Sequence, residues 1–382
     1  MEKIDVPARY KLPKEVKFCK RCVISNQRPR IVFDEDGVCN ACHYTDYKKT
    51  IDWKTREQEL IELCDKHRSK DGSWDCVVPS SGGKDSSYVA YQLKHEYGMH
   101  PLTVTWSPLV YTDIGWRNFR AHIDAGYDNI TGNPNGAVQK RLCRAATIEV
   151  GDPFQPFIYG QVLFPLKLAL KFGINLIFSG ENAEAEYGGD PSSWDSKGHT
   201  VESYDKWWFS NFPVEHWLDH GFTREDLQSH LGPSKEEVME AKIERYFFGY
   251  FKPWVHQANF YSAVENMDFR PNEERTEGTY TKYSSIDDRL DGFHHWFGLL
   301  KFGIGRCTAN AAREVRDENI TRDEGVALIH RYDTEFPEKY FKDFLEYTGM
   351  TEEEFWDVAE CWRNQNLWER NGDEWKLRYP VE

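Results

Sequence analysis

A run of small and charged residues at 80–86, Ser-Ser-Gly-Gly-Lys-Asp-Ser, joins an apolar stretch of the sequence to an amphipathic one. Gly82 and Gly83 have no side chains, so backbone N–H groups can close around a phosphate there. The helix that follows presents the positive end of its dipole to the same group. This segment therefore predicts a phosphate-binding turn between a strand and a helix.

The side chains of this turn add hydrogen-bond donors and charge. Ser81 and Ser86 supply hydroxyl groups, Lys84 adds a positive charge, and Asp85 is a candidate ligand for Mg²⁺. The plain alternative is a structural strand–turn–helix in which Ser86 caps the helix. The six-residue string S-G-G-K-D-S between a strand and a helix favours the phosphate site.

The turn differs from two common nucleotide-binding loops. In a G-x-x-x-x-G-K-[ST] alignment, Val78 takes the place of the first glycine and Asp85 that of the Mg²⁺-binding hydroxyl, and no G-x-G-x-x-G string is present. The S-G-G-K-D-S string instead resembles the PP-loop of the ATP pyrophosphatase superfamily, which includes tRNA thiolation enzymes, GMP synthetase and asparagine synthetase. This resemblance implies that a substrate is adenylated at the α-phosphate of ATP and that pyrophosphate leaves.

Four of the nine cysteines form a second pattern with chemical meaning. Cys19, Cys22, Cys39 and Cys42 have the spacing C-x2-C-x16-C-x2-C, which fits a tetrahedral zinc site. Four ligands fill the coordination shell, so the predicted zinc is structural. An iron–sulfur cluster or a redox dithiol pair remains an alternative, and His43 is interpreted as a bystander.

The composition limits the classes of function. The formal net charge is -15, which argues against a protein that binds nucleic acid over a broad surface, although a local basic groove is compatible with it. No apolar run approaches the ~18 residues of a membrane span, and the first residues lack the apolar core of a signal peptide. Together with the odd number of cysteines, these features predict a cytoplasmic protein without membrane insertion.

Strand and helix patterns alternate from Trp74 to about residue 190. Apolar strand patterns separated by amphipathic helices predict a doubly wound parallel α/β sheet. Ligands of such sheets bind beyond the carboxyl ends of the strands, where 80–86, 106–108 and 179–189 would lie. We therefore expect the phosphate-binding turn to share its site with the segments after two other strands.

Three regions are predicted along the chain. Residues 1–72 form a zinc knuckle and a linker helix, 73–200 form the sheet domain of the PP-loop (adenine nucleotide alpha-hydrolase-like) type, and 201–382 form a mostly helical region for substrate or partner. In the last region, a hydroxyl residue precedes an acidic one by three positions, as in helix capping boxes, at Thr223 with Asp226, Ser234 with Glu237, Thr321 with Glu324 and Thr351 with Glu354.

Longer segments are similar to the N-acetyl sugar amidotransferase family of lipopolysaccharide and related surface-sugar biosynthesis. The similarity extends from about residue 17 to 360 and is carried by segments 19–44, 151–161, 178–190, 283–296 and 301–316. It implies that an N-acetyl group on a nucleotide-activated sugar becomes an acetamidino group. ATP and ammonia are consumed, and AMP and pyrophosphate are released.

The resemblance also implies partners. Glutaminases use an N-terminal cysteine or a G-x-C-x-G elbow, and the nearest strings, 37–41 and 305–309, lack the final glycine. Cys39 of the first string is also a candidate zinc ligand. The chain is therefore expected to be the synthetase half, with a separate glutaminase and a barrel-shaped subunit that channels ammonia.

The chemistry of the turn, the positions of the strand ends and the family resemblance together indicate roles for individual residues. The predicted catalytic residues are Lys84, Asp85 and Glu181. The predicted ATP-binding residues are Ser80, Ser81, Gly82, Gly83, Lys84, Asp85, Ser86, Trp106 and Gly180. The predicted substrate-binding residues are Asn182, Tyr187, Tyr280, Lys282, Tyr283, Arg289, Lys301 and Arg306. Glu181, Glu184 and Glu186 are candidates for Mg²⁺ or ammonium, or simply favourable charges at a helix N-terminus.

Two other functions fit part of the pattern. A tRNA thiolation enzyme shares the turn and often the knuckle, but needs a basic face and a sulfur-carrying cysteine. A non-catalytic zinc-knuckle adaptor for nucleic acid would bind ATP without turnover. The acidic balance and the long sugar-family segments favour the amidotransferase, a protein that needs no nucleic acid.

Overall fold

The computed structural model describes residues 2–200 and 209–382. Its sheet confirms the predicted α/β class, with the strand order β3-β2-β1-β4-β6-β5 among the described residues. All neighbouring strands run parallel except the short β5, which is antiparallel to β6. The strands are β1 (Cys76–Pro79), β2 (Pro101–Trp106), β3 (Asn129–Gly132), β4 (Leu176–Ser179), β5 (Gly198–His199) and β6 (Glu244–Phe247).

Helices flank this sheet and build the rest of the chain. The first half contains α1 (Val6–Tyr10), α2 (Asn40–Thr50), α3 (Trp53–His67), α4 (Lys84–Tyr91), α5 (Asp113–Asp124), α6 (Gly136–Val150), α7 (Gln155–Phe172) and α8 (Ala183–Glu186). The second half contains α9 (Lys235–Glu240), α10 (Phe248–Phe251), α11 (His256–Met267), α12 (Asp291–Phe302), α13 (Arg306–Arg316), α14 (Arg322–Tyr332), α15 (Phe341–Thr348) and α16 (Glu352–Trp362). A hairpin of β7 (Trp368–Asn371) and β8 (Glu374–Leu377) follows.

Alternating side chains of the strands bury the sheet on both faces. Val77 of β1 packs with α6 and α7, whereas Cys76 and Val78 pack with α3 and α4. Successive residues of a strand point to opposite faces, so a strand that is apolar at every position must be covered on both sides. This arrangement is the doubly wound sheet that the sequence predicts.

Strand β6 lies in the segment predicted to be mostly helical. It pairs in parallel with β4 and extends the sheet by one strand. The strand carries a buried arginine, Arg245, which donates hydrogen bonds to Ser179 Oγ at 2.8 Å and to the carbonyl of Val162 at 2.9 Å. An arginine at a buried position removes the apolar pattern by which a strand is recognised.

The C-terminal half is helical as predicted, and predicted capping residues lie at the starts of its helices. Ser234 and Thr321 form reciprocal capping boxes at the starts of α9 and α14. At α16 the Thr351 hydroxyl accepts from Glu354 N at 3.1 Å, but the Glu354 side chain pairs with Arg144 instead of returning to the cap. None of the described helices is long and apolar enough to cross a membrane.

Candidate functional site

A cavity of about 470 Å³ opens at the carboxyl ends of β1, β2 and β4. Its wall includes the turn at 80–86, Trp106 and the segment that follows β4. All residues predicted to bind ATP and all three predicted catalytic residues line this nucleotide cavity, as we name it. The structure therefore brings them together, while their roles stay predictions.

The conformation of the turn depends on Gly82. Its φ of +79° lies in the left-handed region, and a Cβ atom there would be 2.6 Å from Phe119 Cα. Gly83 is the N-cap of α4 and supplies no side chain to the helix N–H groups. The Ser86 hydroxyl donates to the Gly83 carbonyl at 3.1 Å, so it does not cap the helix. The first N–H groups of α4 thus remain available to a ligand.

We expect Gly82→Ala to be far more harmful than a matched change at Gly72. Gly72 also has a positive φ, +85°, but a Cβ atom added there would meet no other part of the described chain within 4 Å. Gly72→Ala should cost only the backbone strain of about 1–3 kcal/mol. Gly82→Ala adds contact with the backbone of Phe119, so its melting temperature should fall further and its ATP affinity should drop. Equal melting temperatures of the two variants would contradict this account.

Lys84 and Asp85 form a buried ion pair on the cavity wall. Lys84 Nζ donates to Asp85 Oδ2, and Asp85 Oδ1 accepts from Asn259 Nδ2 at 3.1 Å. His256 Nδ1 lies 3.5 Å from Asp85 Oδ1. Both His256 and Asn259 belong to α11, which packs against α4. The aspartate is therefore fixed by two helices and keeps an edge toward the cavity.

Burial and neighbouring charges set the protonation states of this group. Burial lowers the pKa of Lys84, and it would raise the pKa of Asp85, but the Lys84 charge brings that pKa well below its usual range. Burial, with the charge of Arg313, lowers the pKa of His256 to about 3. His256 Nε2 lies 3.3 Å from Arg313 Nη1 and Nδ1 lies 3.3 Å from Lys84 Nζ, so cations on both sides of the ring oppose its protonation.

Glu181 is linked to this group through a tyrosine and an arginine. The Tyr187 hydroxyl donates to Glu181 Oε1 at 2.6 Å and accepts from Arg313 Nη1 at 3.1 Å. The Tyr187 ring stacks on His256 with ring centres 6.2 Å apart. Burial and then the nearby Asp85 charge raise the pKa of Glu181, whereas the Tyr187 hydrogen bond opposes this rise.

Removing that hydrogen bond should change how activity depends on pH. If the Glu181 carboxylate is needed in its charged form, the rate of AMP formation falls as pH drops through its raised pKa. Tyr187→Phe removes a donor that stabilises the charged form, so the acid limb of the profile should move to higher pH. Tyr261→Phe, at an exposed tyrosine, is the control. An unmoved acid limb in Tyr187→Phe would exclude Glu181 as the titrating group.

The four predicted cysteine ligands converge in a buried cluster. The Sγ atoms of Cys19 and Cys42 are 3.7 Å apart, those of Cys22 and Cys39 3.7 Å, and those of Cys39 and Cys42 3.6 Å. A tetrahedral zinc with bonds of about 2.3 Å needs sulfur atoms about 3.8 Å apart. Three backbone N–H groups donate to Cys19 Sγ at 3.3–3.4 Å, as they do to thiolates. The cluster is consistent with a zinc site.

Charged contacts attach this zinc knuckle (residues 19–50) to the segment after β4. Arg30 Nε donates to Glu184 at 3.0 Å, and Lys48 Nζ donates to Glu186 at 3.0 Å. Arg316 of α13 donates to the carbonyl of Glu186 at 2.9 Å. Glu184 and Glu186 are thus paired with cations of the chain, which leaves Glu181 as the member of the three that lines the nucleotide cavity.

The C-terminal part of the cavity wall comes from the segment 277–380. Tyr283, Asp287, Arg306 and Arg313 all line the cavity. The sequence of this segment is also similar to a known protein family. Residues 277–380 match the C-terminal domain of WbpG-like LPS biosynthesis proteins. No curated protein matches the chain. The WbpG-like region therefore supplies part of the wall of the nucleotide cavity.

Within the WbpG-like region, two buried groups face the cavity with perturbed acidity. Burial and then the Asp291 charge raise the pKa of Asp287, and burial lowers the pKa of Arg306. Arg306 Nη1 donates to His295 Nε2 at 3.1 Å. Tyr283 stacks on Phe260 with ring centres 4.3 Å apart. These side chains are held by packing before any ligand binds.

Other predicted residues are placed elsewhere. The structure puts five predicted substrate-binding residues outside the nucleotide cavity wall: Asn182, Tyr280, Lys282, Arg289 and Lys301. Asn182 caps α8 and donates to the Ser193 carbonyl at 2.8 Å. Arg289 pairs with Asp343 at 2.7 Å, and Lys282 donates to the Glu273 carbonyl at 2.8 Å.

Trp106 lies in the cavity wall because α7 has a glycine opposite it. A Cβ atom at Gly160 would be 2.0 Å from the Trp106 indole, so the ring packs directly on the helix backbone. At the end of β4, a Cβ atom at Gly180 would be 2.9 Å from the Trp254 ring. Both contacts shape the cavity by excluding side chains.

His256, Asn259 and Asp287 are the functional candidates that sequence reasoning missed. His256 and Asn259 lie one helical turn apart at the start of α11, which places both on one face. That spacing is compatible with many helices and carries no specific motif. Only the packing of α11 against α4 brings them to Asp85.

Proposed function

We propose that the protein is the synthetase component of an ATP-dependent amidotransferase. It would adenylate the acetamido oxygen of a nucleotide-activated N-acetyl sugar, and ammonia would displace AMP to give an acetamidino sugar. The amide oxygen is a poor leaving group, whereas an O-adenylated imidate has AMP to expel. The glycine turn on the nucleotide cavity is the observation that carries this proposal.

The residues around the turn have the chemistry needed to bind a nucleoside triphosphate. Backbone N–H groups at the start of α4, with Lys84, would bind the β- and γ-phosphates as the leaving pyrophosphate. Arg306 and Arg313 also line the cavity and would offset the charge that develops on the phosphates. The carboxylates of Asp85 and Glu181 would hold Mg²⁺, which supplies further charge stabilisation.

Glu181 has a second role in the proposal. Burial raises the pKa of Glu181, which makes its carboxylate a stronger base toward a proton of the incoming nitrogen. Tyr187 keeps Glu181 Oε1 in place through its hydroxyl. The chain would thus orient the carboxylate toward the nucleophile, while the adenylated oxygen departs with AMP.

The ammonia would come from another protein. Cys39 is one of the four clustered thiols, and Cys307 is fully buried in α13. Burial raises the pKa of the Cys307 thiol, which opposes thiolate formation. Neither thiol therefore suits a glutaminase nucleophile, which supports a separate glutaminase and an ammonia-channelling barrel subunit as partners.

The test supplies MgATP, an ammonium salt and a panel of nucleotide-linked N-acetyl sugars to the purified protein. Mass spectrometry should show AMP together with a sugar in which NH replaces an oxygen. AMP that forms only when tRNA is added would instead identify a thiolation enzyme. ATP binding without AMP in every combination, partners included, would support the non-catalytic adaptor. The match of 277–380 to LPS biosynthesis proteins supports the sugar as substrate.

A further inference from the structure

A second cavity, of about 730 Å³, lies on the other side of Arg306 and Arg313. Among the described residues that line it, eight are arginine or lysine and one, Asp152, is a carboxylate. Such an excess of positive charge is unexpected in a chain with a formal net charge of -15. We call this space the arginine cavity.

Some of these charges are already compensated. Asp152 accepts a hydrogen bond from His294 at 2.8 Å, and Arg30 pairs with Glu184 at 3.0 Å. Arg313 is engaged by Tyr187 as described above. The one carboxylate of the cavity and some of its basic side chains therefore already have hydrogen-bond or ion-pair partners.

Three cations of the cavity lack a carboxylate partner among the described residues, and one of them, Lys301, lies over the rings of Phe302 and Trp362. Within residues 2–200 and 209–382, no carboxylate pairs with Arg28, Lys301 or Arg306 at ion-pair distance. Arg28 Nε and Arg306 Nε are buried without a hydrogen-bond partner in that part of the chain. Lys301 is 5% exposed, and its Nζ donates to the Val150 carbonyl at 3.3 Å.

The cost of this arrangement points to a ligand. Burial lowers the pKa of Arg28 to about 10, and the nearby Glu184 charge opposes this only in part. Buried cations are ordinarily paired, and guanidinium groups bind phosphate oxygens in a bidentate manner. Several cations that have no carboxylate partner in the described part of the chain line this one cavity, and together they form a site for a multiply charged anion.

We propose that the arginine cavity binds the diphosphate of a nucleoside diphosphate ligand through Arg28, Lys301 and Arg306. The assignment of this ligand as the sugar substrate rests on the proposed function. Tyr187, Arg306 and Arg313 line both cavities, so the two sites share a wall. The ring of Tyr10 lies beside Lys301 and gives the cavity an apolar face for the rest of the ligand. A ligand held there can extend toward the nucleotide cavity.

Calorimetric titration with UDP-N-acetylglucosamine, without ATP, tests the site. We expect Arg28→Gln and Lys301→Met to weaken binding at least tenfold and to leave the affinity for a non-hydrolysable ATP analogue unchanged. Lys84→Ala should show the opposite pattern. Melting temperatures identify any variant that fails to fold, and Arg28→Gln, at a partly exposed side chain, is the milder change.

The outcomes separate the possible sources of the anion. Binding of inorganic pyrophosphate as tight as that of UDP-N-acetylglucosamine would overturn the nucleoside part of the proposal. Unchanged affinity in both variants, or no binding by the unaltered protein, would overturn the site itself. Diphosphate binding that depends on Arg28 but is never accompanied by AMP formation would support this site and contradict the proposed function instead.

Discussion

Lys84→Ala is expected to lower the rate of AMP formation by about 10²–10³-fold, the effect of removing one preorganised donor from a charged transition state. Lys84 is the buried cation of the glycine turn, and its Nζ points at both Asp85 and the nucleotide cavity. Asp85→Ala should have a similar effect, because it removes the candidate Mg²⁺ ligand. Initial rates of AMP release at saturating MgATP measure both effects.

Controls distinguish a lost catalytic group from a damaged fold. Lys84→Ala removes the ion-pair partner of the partly buried Asp85 carboxylate, which is itself destabilising. Lys84→Arg keeps the charge, and Lys54→Ala removes an exposed lysine from α3. Melting temperatures are compared for all variants. Rates within about twofold of the unaltered protein in folded Lys84→Ala would exclude Lys84 from the proposed role.

Cys19→Ser and Cys42→Ser should cost the protein its zinc and its solubility. The cluster places four sulfur atoms at the spacing of a tetrahedral site, and loss of a structural metal destabilises by more than about 4 kcal/mol. We expect the zinc content measured by elemental analysis to fall from one per chain toward none. The yield of soluble protein should fall with it.

The control for these variants is Cys361→Ser, because Cys361 is a buried thiol of α16 outside the cluster. It should keep zinc and lose only the stability of a small buried substitution, about 1 kcal/mol. Folded, zinc-free and active Cys19→Ser protein would refute a structural role for the metal. Iron with its visible absorption in place of zinc would identify an iron–sulfur cluster.

The glycine turn and the parallel strands around it were predictable because they depend on local sequence. Val77 and Val78 give an apolar strand, and Gly82 lets the backbone after β1 pass directly against α5. Parallel strands then bring the ends of β1, β2 and β4 to one edge without further information. The four-cysteine cluster was predictable for the same reason, because its spacing is visible within a short stretch of sequence.

The parts of the site and fold that could not be predicted depend on contacts between distant segments of the chain. His256 reaches Asp85 because α11 packs on α4, and Arg313 reaches Tyr187 because α13 covers the end of β4. His256 lies outside every segment that carries the family resemblance, and the resemblance of 301–316 does not indicate which residue Arg313 contacts. Strand β6 was missed for the same reason. It carries a charged residue, Arg245, whose buried partners, Ser179 and the carbonyl of Val162, lie far away in sequence.

The zinc knuckle packs against the far end of the chain. Cys19 and Cys42 share an apolar cluster with Cys307 and Ala311 of α13 and with Ile329 of α14. During synthesis, at about 5–20 residues per second, on the order of ten seconds to a minute separates the cysteines from the helices that cover them. Their thiols stay exposed to solvent for that time. Zinc that is present during translation, rather than added afterwards, should therefore determine the yield of folded protein.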